Sequence, residues 1–407
     1  MQAKFVERIK RPLRRYGLHI PVREIKRRLR RSLAVLKRPD RRVISLKPEG
    51  PSRGNVLLSY INDPFFLKPG QPVSKVHQNH WESLQMARTF LDLGYCVDVI
   101  HWLNQKFVPR KDYGFFVDVR VNLERLAPLL NEDCTKILHI DSAHWLYHGT
   151  AQYRRLLALQ QRKGITLPSA KVVHPNWAIE HADYATIKGN EFTISTFRYA
   201  NKPIYRVRSS VIALYPWSEG KDFGDCRKRF LWLGSSGLVH KGLDLVLDAF
   251  AEMPEYHLTV CGPVQREPAF ERAFCRELYQ TPNIRTVGWV DITSPEFTEI
   301  TSSCIGVVYP SCSEGGGVSV ITCMHAGLIP IVSYESSVDV EGFGIVLKDS
   351  SVEEIKSAIQ MVSILPVQEL RLMARKAWEF ARANHTRETF AEDYRKVIST
   401  IIATHRK

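Results

Sequence analysis

From residue 54 onward, short apolar runs rich in Val, Ile and Leu alternate with longer stretches of helical periodicity. The alternation breaks once and then begins again. Runs that are apolar at every position suit strands buried on both faces, and strands recurring between helices join into parallel sheets. The first set of runs is residues 55–60, 95–101, 135–140, 170–174 and 184–189, with helices expected near 77–93, 150–163 and 190–199. The polar, turn-rich segment "LYPWSEGKDFGDCRK" (214–228) interrupts them. The second set is 229–234, 256–262, 284–290, 304–309 and 329–333, with helices near 242–252, 267–279, 294–303 and from about 318. Helices at 351–364, 366–384 and 387–404 close the chain. The expectation is an α/β protein with two Rossmann-like domains facing a cleft, where ligands of such sheets bind at the strand C-termini. The boundaries read as a leader over 1–48, a first domain over 49–215, a second over 216–385, and a final helix over 386–407 packing back toward the first domain.

The 407 residues exceed one ordinary core, and 44% hydrophobic with 24% charged content suits a globular protein. Neither a membrane-spanning apolar run nor the apolar core of a secretory signal is visible. The eight cysteines form no C-x-x-C pair and several sit in apolar runs, which points to reduced thiols and a cytoplasmic protein. The net charge of +15 is concentrated: residues 1–47 hold 17 of the 57 Lys/Arg and 3 of the 42 acids. The body is therefore almost neutral, which argues against a nucleic-acid groove in the fold. Within the leader, Val22, Ile25, Leu29, Leu33 and Leu36 form one helical stripe with Arg and Lys largely off it. A basic amphipathic helix of this kind suits an anionic membrane surface, on the inner face of the cytoplasmic membrane; packing on the body is the other reading.

Chemistry is expected at the strand ends of the second half. In "LGSSGLVHKG", Gly234, Ser235 and Ser236 follow a strand, and Lys241 stands where a helix opens. Backbone N–H groups and a fixed cation there suit a diphosphate. Gly262 in "VCGPV" and Gly288-Trp289 in "VGWV" also end strands, where backbone edges suit a flat base. In "PSCSEGGGVSVITCMHAG", Glu314 lies just past a strand. Gly315, Gly316 and Gly317 allow close backbone approach, and the helix beginning at Val318 aims its positive end at the same place.

Taken in order, "GSSGLVHKG … VCGP … VGWV … YPSCSEGGGVSVITCMHAGLIPIVS" resembles the donor domain of retaining GT-B glycosyltransferases of family 4, the group 1 transferases. The resemblance covers about 150 residues well and the whole architecture loosely. It rests on Pro310-Ser311, on Glu314 to Gly317, and on the exit His325-Ala326-Gly327-Leu328-Ile329-Pro330. It implies that Lys241 neutralises the leaving diphosphate and Glu314 holds the donor sugar. Gly315 to Gly317 and Val318 would contact sugar or phosphate, and Gly288 and Trp289 would flank the base. It implies no metal and no cofactor beyond a nucleotide-sugar co-substrate. Two departures stand out. Thr322 occupies the position of a second Glu that binds the ribose, and Ser236 that of an Arg; Arg266 is the candidate substitute for the missing cation.

In the first half, Gly70, His77, His80 and Trp81 are candidate acceptor contacts. His144 and Asp141, in "LHIDSAHW", are candidate cleft residues beside the donor sugar. The resemblance then implies retaining transfer of a hexose-type sugar to a glycan or lipid-linked acceptor. Two rivals stay open: a sugar-nucleotide epimerase on the same fold, and a non-catalytic glycan-binding or scaffold protein.

Overall fold

The computed structural model describes residues 42–68, 70–71, 73, 77–340 and 342–405. The basic helix expected within residues 22–36 lies outside them. Two sheets organise the rest. The first contains β1 (Ile44–Leu46), β2 (Asn55–Tyr60), β3 (Cys96–His101), β4 (Phe115–Asp118), β5 (Thr135–Ile140), β6 (Tyr184–Ile187) and β7 (Ile204–Arg206). Its order is β1-β3-β2-β4-β5-β6-β7, parallel except for the edge strand β1. The second contains β8 (Arg229–Leu233), β9 (His257–Cys261), β10 (Ile284–Gly288), β11 (Gly306–Tyr309), β12 (Ile329–Ser333) and β13 (Ile345–Leu347). Its order, β10-β9-β8-β11-β12-β13, is wholly parallel. The two α/β sheets are those of two Rossmann-like domains.

Side-chain periodicity explains the layers. Along β2, Val56 and Leu58 face one layer and Leu57 the other, and none of the three is exposed. Helices must therefore cover both faces. Those of the first half are α1 (Asn79–Asp92), α2 (Asn122–Leu126), α3 (Trp145–Lys163) and α4 (Glu191–Ser195). The second sheet is flanked by α5 (Leu243–Ala251), α6 (Pro268–Ala273), α7 (Cys275–Tyr279), α8 (Pro295–Ser302), α9 (Val318–His325), α10 (Val352–Ile364) and α11 (Val367–Asn384). The last helix, α12 (Arg387–His405), joins the first domain's layer. Its stripe Phe390, Tyr394, Ile398 and Ile401 is buried with Val97, Val99, Phe115 and Phe90. The chain thus crosses between domains twice, and the crossings clamp each other. Arg208 donates to Asp393 at 2.7 Å and to Asn384 at 3.0 Å.

Four short strands, β1, β4, β7 and β13, were not expected from the sequence. The strand expected at 170–174 does not form; residues 165–176 are irregular. Pro168 and Pro175 bracket it and remove backbone donors that pairing would need. The segment runs instead along the second domain. The Cβ of Lys171 lies 3.0 Å from where a side chain on Gly237 would begin. No described helix is long and apolar enough to cross a membrane.

Candidate active site

In each sheet the strand order reverses at one point, between β2 and β4 and between β8 and β11. Crevices open there, outside the strand C-termini. The two crevices face one cavity of about 550 Å³. At the second, β8 ends and Gly234, Ser235 and Ser236 line the cavity. The following turn brings Lys241 back under it, almost fully buried. β11 ends at Tyr309, and Glu314 comes up beside Lys241.

The contacts are short. Lys241 Nζ donates to Glu314 Oε1 at 2.5 Å and to the Tyr309 hydroxyl at 2.6 Å. The Tyr309 and Ser311 hydroxyls also donate to that carboxylate oxygen, at 3.0 and 3.1 Å. Lys171, from the irregular segment of the first domain, donates to Glu314 Oε2 at 3.2 Å. Burial pushes the Lys241 ammonium down to about 8 against the pull of Glu314. Burial also pushes the Glu314 carboxyl up, but Lys171 and Lys241 outweigh it and hold it well below the usual range. Lys241 and Glu314 are therefore a buried ion pair at neutral pH, one of whose oxygens is shared with a cation from across the cleft.

The cavity wall carries Arg120, Lys171, Lys188, Lys241 and Arg266 against Asp141 and Glu314, an excess of positive charge suited to a polyanion. Sequence reasoning missed Arg120, Lys171, Lys188 and Tyr309. Tyr309 had a usable signal, a hydroxyl at the last position of a buried strand. The others owe their places to long-range folding. Arg120 grips Asp141 at 3.0 and 3.2 Å. Lys188 Nζ donates to buried Glu82 at 2.9 Å and to Asn79 at 3.1 Å. His148 and His240 lie with centroids 4.5 Å apart and rings tilted by 32°, and burial drives both down, His148 to about 4, so both rings are neutral.

Of the residues singled out in the sequence, Asp141, His77, Gly262, Arg266, Trp289, Val318 and Thr322 line the cavity together with Gly315, Gly316 and Gly317. Gly288 is outside the lining, with φ +86 and its carbonyl accepting from the Gly262 N–H at 2.8 Å. Thr322 spends its hydroxyl proton on the Val318 carbonyl at 2.8 Å, leaving only lone pairs for a ligand. The amides of Gly237 and Leu238 are already engaged by the Glu267 carboxylate, with Gly237 N to Oε1 at 2.5 Å. Any phosphate must therefore rely on the residues before them or displace that carboxylate.

Four expectations need correction in position. His144 caps α3, accepting from Leu146 N at 3.4 Å, with its other ring nitrogen 3.0 Å from the Tyr199 hydroxyl; it faces a neighbouring groove and not the cleft. Trp81 packs edge-on against Phe390 at 5.9 Å, with Arg387 over its ring. The apolar seam with α12 claims it. His80 and Gly70 are also outside the cavity lining. The three glycines meet the chain itself. A Cβ on Gly315 would stand 2.3 Å from the Asp141 carbonyl oxygen, and one on Gly317 2.0 Å from Val338. Gly315 is thus a point where the two domains touch backbone to backbone.

Among the described residues, no group of three or more His, Cys, Asp or Glu is disposed to hold a metal ion.

Comparison with known proteins bears on this geometry. Residues 227–363, from just before β8 through nearly all of α10, match the family model of glycosyl transferases group 1. No curated protein matches the sequence. Among solved structures, sucrose-phosphate synthase from Thermosynechococcus elongatus superposes with a TM-score of 0.59 at 15% identity, covering 86% of this chain and 99% of that one. A glycosyltransferase from Rickettsia africae gives 0.57 at 10% identity, covering 86% and 99%. HepE from Anabaena, solved with UDP and glucose, gives 0.53 at 13% identity, covering 85% and 99%. At these identities the structures speak for the fold. Residues 227–363 thus match the group 1 glycosyl transferase model, and the chain as a whole has the two-domain GT-B fold of these structures.

Proposed function

We propose that this protein transfers a hexose-type sugar from a nucleotide sugar to a glycan or lipid-linked acceptor, with retention and without a metal ion. The observation that carries the reading is the buried Lys241–Glu314 pair at the switch point of the second sheet, in a cavity whose cations outnumber its carboxylates. A nucleotide diphosphate entering there would take Lys241 as its partner, joined by Arg266 and the strand-end amides at Gly234 to Ser236. As the sugar–phosphate bond breaks, charge gathers on the diphosphate. A preorganised ammonium beside it stabilises that charge more than the ground state's. Glu314, released from Lys241 but still held by Tyr309 and Ser311, would accept hydrogen bonds from the sugar hydroxyls. Lys171, reaching across, would link donor occupancy to the first domain. Trp289, 59% exposed at the cavity rim, suits stacking on a base.

UDP-glucose is the first donor to test, because HepE, of the same fold, is solved with UDP and glucose. A panel of nucleotide sugars scored by thermal shift and by donor turnover tests the reading. Stabilisation by one donor with slow hydrolysis is expected, both lost in Lys241→Ala. No stabilisation and no turnover with any donor would remove it. The basic leader is proposed to hold the enzyme on anionic membrane. Deleting residues 1–47 should then release it from phosphatidylserine vesicles in sedimentation.

A further inference from the structure

Beside the cleft lies a second, larger groove of about 860 Å³, open to solvent. It is built where α3 begins and is closed on one side by the second domain's Glu335 and Lys348 to Ser350. Its walls are unusually aromatic for exposed surface. Trp177 is 51% exposed and Tyr199 57%. Trp145 stands with its ring centroid 6.2 Å from that of Trp177, at 57°. Tyr147 adds a fourth ring, packed against Phe192 at 5.2 Å. Apolar rings left in water cost free energy, and large exposed patches of this kind mark binding surfaces.

Polar groups stand among the rings. Glu180 accepts from the Tyr199 hydroxyl at 2.6 Å, which leaves its second oxygen unused by that bond. Glu335 and Arg154 keep their side chains out of any described ion pair. Glu180, Glu335 and Asp349 are balanced by Arg154, Arg155 and Lys348, so the groove carries no net charge to draw an ion and favours an uncharged occupant. Flat rings flanked by carboxylates and a guanidinium are the chemistry of pyranose recognition. The C–H faces of a sugar lie on aromatic rings, and its rim of hydroxyls donates to carboxylates.

The groove adjoins the cleft. A small cavity between them shares Arg120, Asp141, Ser142 and Val173 with the cleft, and His144 and Trp145 with the groove. Asp141 to Trp145 spans at most about 14 Å even fully extended, a distance of only a few sugar rings.

We propose that this groove is a distal subsite for an uncharged oligosaccharide, holding the acceptor chain a few residues from the end that enters the cleft. This deepens the transferase reading and rests on it only for the word acceptor. His144, expected in the cleft, then serves as a positioning residue that fixes Tyr199 through the 3.0 Å contact.

The test uses the full chain and a ladder of neutral gluco-oligosaccharides, followed by tryptophan fluorescence and calorimetry. Longer oligosaccharides should bind more tightly than short ones. Trp177→Ala should weaken the long ones by about tenfold, the loss expected for one aromatic contact, while Trp177→Phe keeps most of the affinity. Nucleotide affinity should not change in either variant. In turnover assays Trp177→Ala should raise KM for long acceptors and leave donor hydrolysis intact. Equal affinity for long and short sugars, or no binding by any member of the ladder, overturns the subsite. So does a Trp177-dependent self-association without sugar binding, which would make the groove an interface between copies. If the wild type turns over a nucleotide sugar but Trp177→Ala leaves the KM for long acceptors unchanged, the subsite falls and the transferase stands. If oligosaccharides bind in a Trp177-dependent way but no donor is turned over, the subsite stands and the transferase falls.

Discussion

The two walls of the cleft handle charge differently. On the first-domain wall two of the three cations have a fixed partner on their own side: Arg120 holds Asp141, and Lys188 holds buried Glu82, which also accepts from Ser210. On the second-domain wall Lys241 and Glu314 are partners of each other, and Lys171 competes for the same carboxylate from across the gap. A satisfied pair makes a rigid surface. A pair whose members can each find a better partner makes a binding site, because a diphosphate and a sugar hydroxyl can replace the contact that is broken. The first wall is built to position and the second to exchange.

The largest blow to this contrast is Lys241→Ala. It should lower kcat by about 10²–10³-fold, the loss typical of one preorganised electrostatic group. Lys188→Ala should be felt chiefly as a drop in melting temperature, because it strands Glu82 unpaired in the core. Comparable kcat losses for the two would erase the distinction. Next comes Gly315→Ala. Its methyl would meet the Asp141 backbone and hold the domains apart, so transfer should fall by about 10²-fold with nucleotide affinity kept. Small-angle scattering should show a larger radius for the variant, and an unchanged radius would discredit the contact.

The pH dependence is more graded. The Lys241 ammonium is lowered to about 8 in the folded protein, so its charge is present below that pH and lost above it. The kcat/KM for donor should therefore decline above about pH 8, approaching tenfold per pH unit, since it reports the free enzyme. A flat profile to pH 9 would deny Lys241 that role. The smallest effect is expected from Thr322→Glu. A carboxylate facing the ribose should tighten nucleotide binding by about tenfold, through one charge-assisted hydrogen bond. It should also lower the melting temperature of the free protein, because residue 322 is only 2% exposed. Calorimetry showing weaker binding would mean the ribose lies elsewhere.

The same asymmetry decided how much could be read in advance. The second wall is made by short local motifs at strand ends, so "GSSGLVHKG" and "SEGGG" pointed to Lys241 and to Glu314, though not to their pairing. The first wall is assembled from Arg120, Asp141, Lys188 and Asn79, whose meeting depends on strand order and which follow no local pattern. Lys171 was hidden most completely. Its run of Val and Ala looks like a strand, and only the contact with Gly237 and Glu314 shows why it is not one. The glycines were legible as close approach. What they approach on the protein side, the backbone of Asp141, requires knowledge of how two domains dock.

The placement of α12 has a consequence for biogenesis. Phe390, Tyr394, Ile398 and Ile401 complete a face of the first sheet, so the domain begun first is finished last. At typical synthesis rates, the 180 residues separating β7 from that helix take about 10–40 s to emerge. Until then, Val97, Val99 and Phe115 lack their cover, while the second domain can fold on its own sequence. A nascent chain stalled before residue 387 should bind a hydrophobic dye or a trigger-type chaperone through its N-terminal half, and release it once the last helix arrives.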